Sequence, residues 1–232
     1  MKNLVFLSIF LLFRFSYTQN TWKEFTHDIY ATSLEFNGND LWVGTYTGGV
    51  YKWDITTNTY TKFTRVNNGL ANNQITDIAI DNNGDVWASS YYGISRFNGT
   101  EWITYNETNS GLPANGFFLA IDVDPITNNI WIGSYLSGLY KFDGYNWENI
   151  NSQNSGLSDN LVTSVKITES ETLWIGHSGF TTQSFNGFNW LNHQPFGSVI
   201  QIKTSKLNNG VYFIKLNIKG DIYTEKFIKS NS

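Results

Sequence analysis

The chain has 232 residues, of which 17% are aromatic, 20 are glycine, three are proline and none is cysteine, so it suits one domain with at most a small appendage and excludes disulfides and thiolate metal sites. The formal net charge of −4 hides an asymmetry: residues 19–196 carry 7 basic and 17 acidic side chains, whereas residues 197–232 carry 6 lysines against Asp221 and Glu225. An acidic body excludes a nucleic-acid surface, which needs clustered Lys and Arg, and the change of sign marks a module boundary near Pro195-Phe196-Gly197.

Residues 1–18 read as a secretory signal. Lys2 supplies a positive start, Leu4 to Phe13 is apolar apart from Ser8, and Ser16 and Thr18 are small enough for cleavage before Gln19. Arg14 is an irregularity in this pattern. The apolar run is too short to span a bilayer, which takes roughly 20 residues, and no other segment is long enough either. No stable membrane span is expected.

From Gln19 onward the chain repeats itself. One tryptophan motif recurs at Leu41-Trp42-Val43-Gly44, Val86-Trp87-Ala88-Ser89, Ile130-Trp131-Ile132-Gly133 and Leu173-Trp174-Ile175-Gly176. The tryptophan spacing of 45, 44 and 43 residues is the period of a four-stranded propeller blade. Each unit has the same internal order. A first strand such as Ile75–Ile80 or Val162–Ile167 leads through a polar turn to the Trp strand. A third strand ends in an aromatic and a turn, as at Phe97-Asn98-Gly99, Phe142-Asp143-Gly144 and Phe185-Asn186-Gly187. A fourth strand carries Tyr60, Trp102, Trp147 or Trp190.

The Trp strands are almost continuously apolar, which predicts burial on both faces, as for blades packed around an axis. A buried Trp removes roughly 150–250 Å² from water, at most about 4–6 kcal/mol. One such residue does not offset the ordering entropy of a lone blade, so the blades must stack. The predicted fold is all-β: a propeller domain of four four-stranded blades over 19–196, and a C-terminal β-hairpin within 197–232. Thr21-Trp22-Lys23-Glu24-Phe25 reads as a further outer strand, matching Glu101-Trp102-Ile103-Thr104-Tyr105. The last blade already has its own candidate in Asn189-Trp190-Leu191-Asn192, so one outer strand is surplus. The surplus favours an open arc over a small closed ring, and an arc leaves an apolar blade face uncovered.

Several stretches resemble the two-component-regulator propeller repeat. They are Asn68-Gly69-Leu70-Ala71-Asn72-Asn73-Gln74-Ile75 with Asp81 to Trp87, then Ser110 to Asn115, Gly138 to Asp143 and Ser155 to Val162. The resemblance covers roughly residues 28–192. It departs at Ala88-Ser89, at Phe180-Thr181-Thr182-Gln183 and in the small number of blades. Residues 198–232 resemble the C-terminal part of the type IX secretion sorting domain, on Leu207 to Leu216, Lys219-Gly220-Asp221 and Thr224 to Lys229. The Pro-Asn-Pro opening of that family is missing. The resemblance implies the type IX secretion machinery as a partner of the tail, transit through the periplasm, and release or attachment at the outer cell surface.

Chemistry-bearing patterns are few. Asp81-x-Asn83-x-Asp85 has the start of a calcium loop but no Glu at its twelfth position, so it reads as a hairpin turn. Trp53-Asp54 occurs once and carries no weight as a repeat signature. His27, His177 and His193 lack metal-ligand spacing and are expected on the surface or in loops. No catalytic, cofactor-binding or metal-ligating residue is assigned, and no cofactor is expected. Tyr46, Tyr91, Tyr92 and Tyr135, just after the Trp strands, are candidates either to stack on a ligand or to pack between blades. The leading expectation is a non-enzymatic binding module, secreted or at the cell surface, for a glycan, peptide or protein. The alternatives are an extracytoplasmic sensor-like propeller of a two-component system, or a polysaccharide-processing enzyme with carboxylates in its central channel.

Overall fold

The computed structural model describes residues 30–178 and 182–193, together with the backbone of two strands in the tail, 210–218 and 221–229. The signal segment, the surplus strand candidate at Thr21–Phe25 and His27 lie outside the described residues.

Four antiparallel sheets follow one another along the chain, each in simple meander order. The first blade is β1 (Ala31–Asn37), β2 (Asp40–Thr45), β3 (Gly49–Asp54) and β4 (Thr59–Phe63). A one-turn helix, α1 (Arg65–Asn68), leads on to β5 (Ile75–Ile80), β6 (Val86–Ser90), β7 (Gly93–Phe97) and β8 (Trp102–Tyr105). The third blade is β9 (Phe118–Val123), β10 (Ile130–Ser134), β11 (Leu139–Phe142) and β12 (Trp147–Ile150). The fourth is β13 (Val162–Ile167), β14 (Leu173–His177), β15 (Thr182–Phe185) and β16 (Trp190–His193). In the tail, β17 (Gly210–Ile218) pairs antiparallel with β18 (Asp221–Lys229), from Gly210 opposite Lys229 to Ile218 opposite Asp221.

The first strands pack in sequence, β1 on β5, β5 on β9 and β9 on β13, and this order lays the blades around an axis. The pair β1 and β13 does not pack in this way, so the four blades form an arc and not a ring.

The tryptophans make the contacts between blades. Trp42 is buried in a cluster with Ile75, Ile78, Val86 and Ala88 of the second blade. Trp87 lies with Phe118, Ile121, Ile130 and Ile132 of the third, and Trp131 with Val162, Val165, Leu173 and Ile175 of the fourth. Each Trp thus points at the next blade along the chain. The leucines of the Gly-Leu linkers, Leu70, Leu112 and Leu157, are buried in these same three clusters. The expectation of burial on both faces holds for β6 and β10, which are buried along their whole length. It fails for β14, where burial alternates and Trp174 is only partly covered; among the described residues no further blade packs on it.

The glycine two residues after the Trp has a steric cause. A Cβ on Gly44 would stand 2.8 Å from Ile75 Cγ2, and one on Gly133 would stand 2.7 Å from Val162 Cγ1 and 3.0 Å from its carbonyl oxygen. In these two blades a side chain here would push the next blade's first strand away. In the second blade Ser89 fills the position and its hydroxyl meets that of Thr76 at 2.8 Å.

The first strand of each sheet is also an edge, with backbone groups that its own blade does not pair. Side chains of the neighbouring blade take them up. Thr32 Oγ1 donates to Ile75 O at 2.9 Å, and Thr76 Oγ1 to Phe118 O at 2.7 Å. Ile78 N donates to Ser33 Oγ at 3.1 Å, Ile121 N to Asp77 Oδ2 at 3.0 Å and Ile167 N to Asp122 Oδ2 at 2.6 Å.

Overpacking of a core usually costs about 1–3 kcal/mol, so Gly133→Val should lower the stability of the chain by that amount in denaturant titration. Gly176→Ala should cost less, because the nearest atom is the movable Ser164 hydroxyl of its own blade. Equal losses at both sites would refute the account of blade approach.

Candidate functional site

Two groups of polar or aromatic side chains stand out, one at the axis and one on the loop face. At the axis, the first strands of the four blades each bring a charged residue inward: Glu35, Asp77, Asp122 and Lys166. Glu35, Asp122 and Lys166 stand opposite the tryptophans Trp42, Trp131 and Trp174, and Asp77 sits two residues ahead of that register. Lys166 Nζ lies 2.9 Å from Asp122 Oδ1. Asp77 accepts from Ser33 Oγ at 2.7 Å, from Ile78 N at 2.9 Å and from Ile121 N.

Burial is the main influence on Asp77 and raises its carboxyl above the ordinary range, against the hydrogen bonds from Ile121, Ser33 and Ile78. Burial also raises Glu35; Lys166 opposes the rise and the charges of Asp77 and Asp122 add to it. The three carboxylates are therefore within electrostatic reach of one another. Among the described residues no group of His, Asp or Glu has the geometry of a metal site.

The second group lies where the second and fourth strands end and the first strands begin. The Tyr91 and Phe117 rings meet at 4.9 Å between centroids, Tyr92 and Phe117 at 5.5 Å, and Phe117 and Tyr135 at 6.3 Å. Backbone bonds tie the three segments: Tyr92 N to Gly116 O at 2.8 Å and Tyr135 N to Phe117 O at 2.9 Å. Tyr92, Phe117 and Tyr135 are 45%, 37% and 47% exposed. Tyr92 has φ of +79°, a left-handed conformation that costs a bulky residue energy. Beside it opens a cleft of about 370 Å³ lined by Arg65, Tyr92, Thr104, Asn106, Glu107 and Asn115.

The structure brings together three of the four tyrosines singled out in the sequence. Tyr46 stands apart on the first blade, where its N–H donates to Tyr30 O at 2.9 Å. Phe117, the ring that joins the others, was missed. It precedes a first strand, as Tyr30, Gln74 and Leu161 do, and aligning the units would have shown an aromatic at a variable position. The axial charges were missed as well, although each is the one charged residue of its first strand.

Asp81 acts as the turn residue expected: its Oδ1 accepts from Asn83 N at 2.8 Å and Asp85 N at 3.0 Å, and its Oδ2 accepts from Trp87 Nε1 at 3.0 Å. Asp54 closes its own turn, and the Thr56 hydroxyl with the Thr57 and Thr56 N–H groups holds its carboxyl down to about 2. The placement of His177 needs correction. It is buried at the end of β14, with Nε2 3.2 Å from Gln183 Oε1. Thr45, Ser90 and Ser134 fill the same position in the other blades and are equally buried, so the repeat and not the residue type decides its environment. His193 is partly covered and stacks on Trp174 at 4.6 Å.

Residues 69–92 match the family described as two component regulator propeller, and residues 191–230 match the secretion system C-terminal sorting domain. The chain carries a two-component-regulator propeller repeat and a secretion sorting tail. The tail directs the protein to the outer cell surface or beyond it and implies an encounter with the secretion machinery. No curated protein sequence is matched.

Among solved structures, the chain is similar to the extracellular domain of the hybrid two-component system BT3049 from B. thetaiotaomicron, with a TM-score of 0.59 and 21% identity over 72% of this chain and 22% of that one. It is also similar to the RRP9 WD40 repeats, with a TM-score of 0.58 and 11% identity over 73% and 52%. A third likeness is to an auxiliary nutrient binding protein from Bacteroides thetaiotaomicron, with a TM-score of 0.50 and 11% identity over 67% and 38%. At these identities the likeness is one of fold, and this chain spans less than a quarter of BT3049's domain.

The raised carboxyls of Asp77 and Glu35 mean that the folded chain holds protons that the unfolded chain releases. Stability therefore falls as the pH rises from the unfolded carboxylate range through these raised values. The denaturant midpoint should climb when the pH is lowered from neutral to about 5, and the climb should shrink in Glu35→Gln with Asp77→Asn. An unchanged slope in that variant would clear the axial carboxylates of the effect.

Proposed function

We propose that the protein is a non-enzymatic binding module, exported by a type IX route, that holds a glycan on the aromatic loop face. The observation that carries this reading is Tyr92, a tyrosine kept at positive φ and half exposed at the edge of a polar cleft. Strain of this kind persists only where the surroundings enforce it, and it clusters at ligand clamps. Phe117 and Tyr135 extend the apolar surface, and Arg65, Asn106, Glu107 and Asn115 offer donors and acceptors beside it. Flat apolar faces next to hydrogen-bonding groups suit a sugar ring, which has both.

The axial carboxylates support a non-enzymatic reading. Asp77 and Asp122 are engaged by backbone N–H groups of the next blade and, for Asp122, by Lys166. That is the work of blade latches, which leaves no free acid and base pair between them. A sensor role draws support from the fold shared with the BT3049 extracellular domain. A nutrient-binding relative of the same fold agrees with capture at the cell surface.

Tyr92→Gly should separate binding from folding. The substitution relieves the left-handed conformation, so stability should change by no more than about 1 kcal/mol, whereas affinity for the captured glycan should fall at least about tenfold. A glycan array probed with the purified chain supplies the ligand for this comparison. Full affinity in Tyr92→Gly would exclude the loop face as the site, and capture of peptides with no glycan bound would change the ligand class.

A further inference from the structure

The arc ends in two surfaces that fit the two sides of a blade interface. At its first end, Leu34 and Phe36 of β1 occupy the positions that Ile78 and Ile80 hold in the second blade. Among the described residues no tryptophan packs on them, and they are 58% and 63% exposed, with Tyr60 of β4 on the same face 58% exposed. At its last end, the fourth blade keeps three features whose purpose in the other blades is to engage a following one. Trp174 holds the position of Trp42, Trp87 and Trp131 but is only partly covered. Gly176 keeps the cleared position of Gly44 and Gly133. Thr163 stands where Thr32 and Thr76 bond the next blade, and its hydroxyl turns back to Gly176 O at 3.1 Å.

We infer that two copies of this chain join end to end, the fourth blade of each docking on the first blade of the other. The contact continues the three interfaces already present between blades of one chain, with Trp174 and Gly176 meeting Leu34 and Phe36. It is heterologous and occurs twice, so it closes. Two four-bladed arcs make a ring of eight blades, within the range of about 4–8 blades that propellers adopt. The last blade's own surface suits an interface that must also survive in water: Ser184 replaces the cation that covers the indole in the other blades, where Lys52, Arg96 and Lys141 lie 5.4–5.7 Å from the ring, and His193 shields Trp174 meanwhile.

Light scattering of the purified full chain should give twice the chain mass. Leu34→Asp with Phe36→Asp should give the monomer with its near-UV spectrum kept, since both side chains are exposed. The absence of cysteine allows a clean orientation test. A chain with both Tyr60→Cys and Leu191→Cys should form an interchain disulfide under mild oxidation, and either substitution alone should not. A wild-type monomer at high concentration overturns the inference. So does a disulfide within one chain, which would mean that the arc closes on itself. A disulfide between two copies of Tyr60→Cys alone does the same, because it would place the first blades face to face. A partner protein bound to the Leu34 and Phe36 face of a monomeric chain would also overturn it.

Discussion

The inner edge strand of each blade is the constraint on which the rest of this structure depends. A four-stranded meander pairs its first strand on one side only, and its second strand carries a tryptophan on the face that its own sheet does not cover. Neither debt is settled within a blade. Thr32, Ser33, Thr76, Asp77 and Asp122 settle the first by bonding the backbone of the neighbouring first strand. Trp42, Trp87 and Trp131 settle the second by entering the next blade's aliphatic cluster. The glycine two residues on permits both, because the latches reach across only if the strands approach closely. Polar and apolar terms therefore share one geometry, and loss of either loosens the other.

This arrangement divides labour between the axis and the rim. Charged groups at the axis look catalytic by composition, yet the oxygens of Asp77 and Asp122 face backbone donors with little freedom to move. Burying Asp77 costs energy, as its raised carboxyl shows, and the hydrogen bonds from Ile121, Ile78 and Ser33 offset part of that cost. The loop face carries no such duty. Its turns are closed locally, by Thr45, Ser90 and Ser134 hydroxyls bonding Gly49, Gly93 and Gly138 carbonyls at 2.7–2.8 Å. With the turns secured from beneath, the residues above them vary from blade to blade without loosening the latches. That freedom explains why aromatic rings gather between the second and third blades and are sparser elsewhere.

Much of the fold was legible because the tryptophan period is set by blade packing, and packing acts on every unit alike. Strand positions follow from Trp, Gly and the Asn-Gly or Asp-Gly turns, all of which have local physical causes. The site was less legible because it depends on contacts between units. Phe117 looks like the start of a hydrophobic strand, and only the bond from Tyr135 N to its carbonyl reveals it as part of the loop face. Spacing between histidines carries no information about His177, whereas the repeat position that buries Thr45, Ser90 and Ser134 governs it. The axial charges are scattered over more than 130 positions, from Glu35 to Lys166, and converge only through the curvature of the arc.

The two ends of the arc are unlike for a physical reason. A repeat array needs terminal units whose outer faces tolerate water, and polar capping is the usual solution. The fourth blade goes part of the way: Thr182 sits on its outward face where Val50, Ile94 and Leu139 stand in the earlier blades. Complete capping would also replace Trp174, since an indole left partly in water gives up some of its roughly 4–6 kcal/mol of burial. Its retention together with Gly176 implies that the outward face is not finished by solvent. The first blade shows no capping at all along β1, where Leu34 and Phe36 stand in the open. A face that must meet water for its whole life would gain solubility from polar residues at those positions at no cost to packing, so their apolar character is explained by a surface that is covered when the protein works.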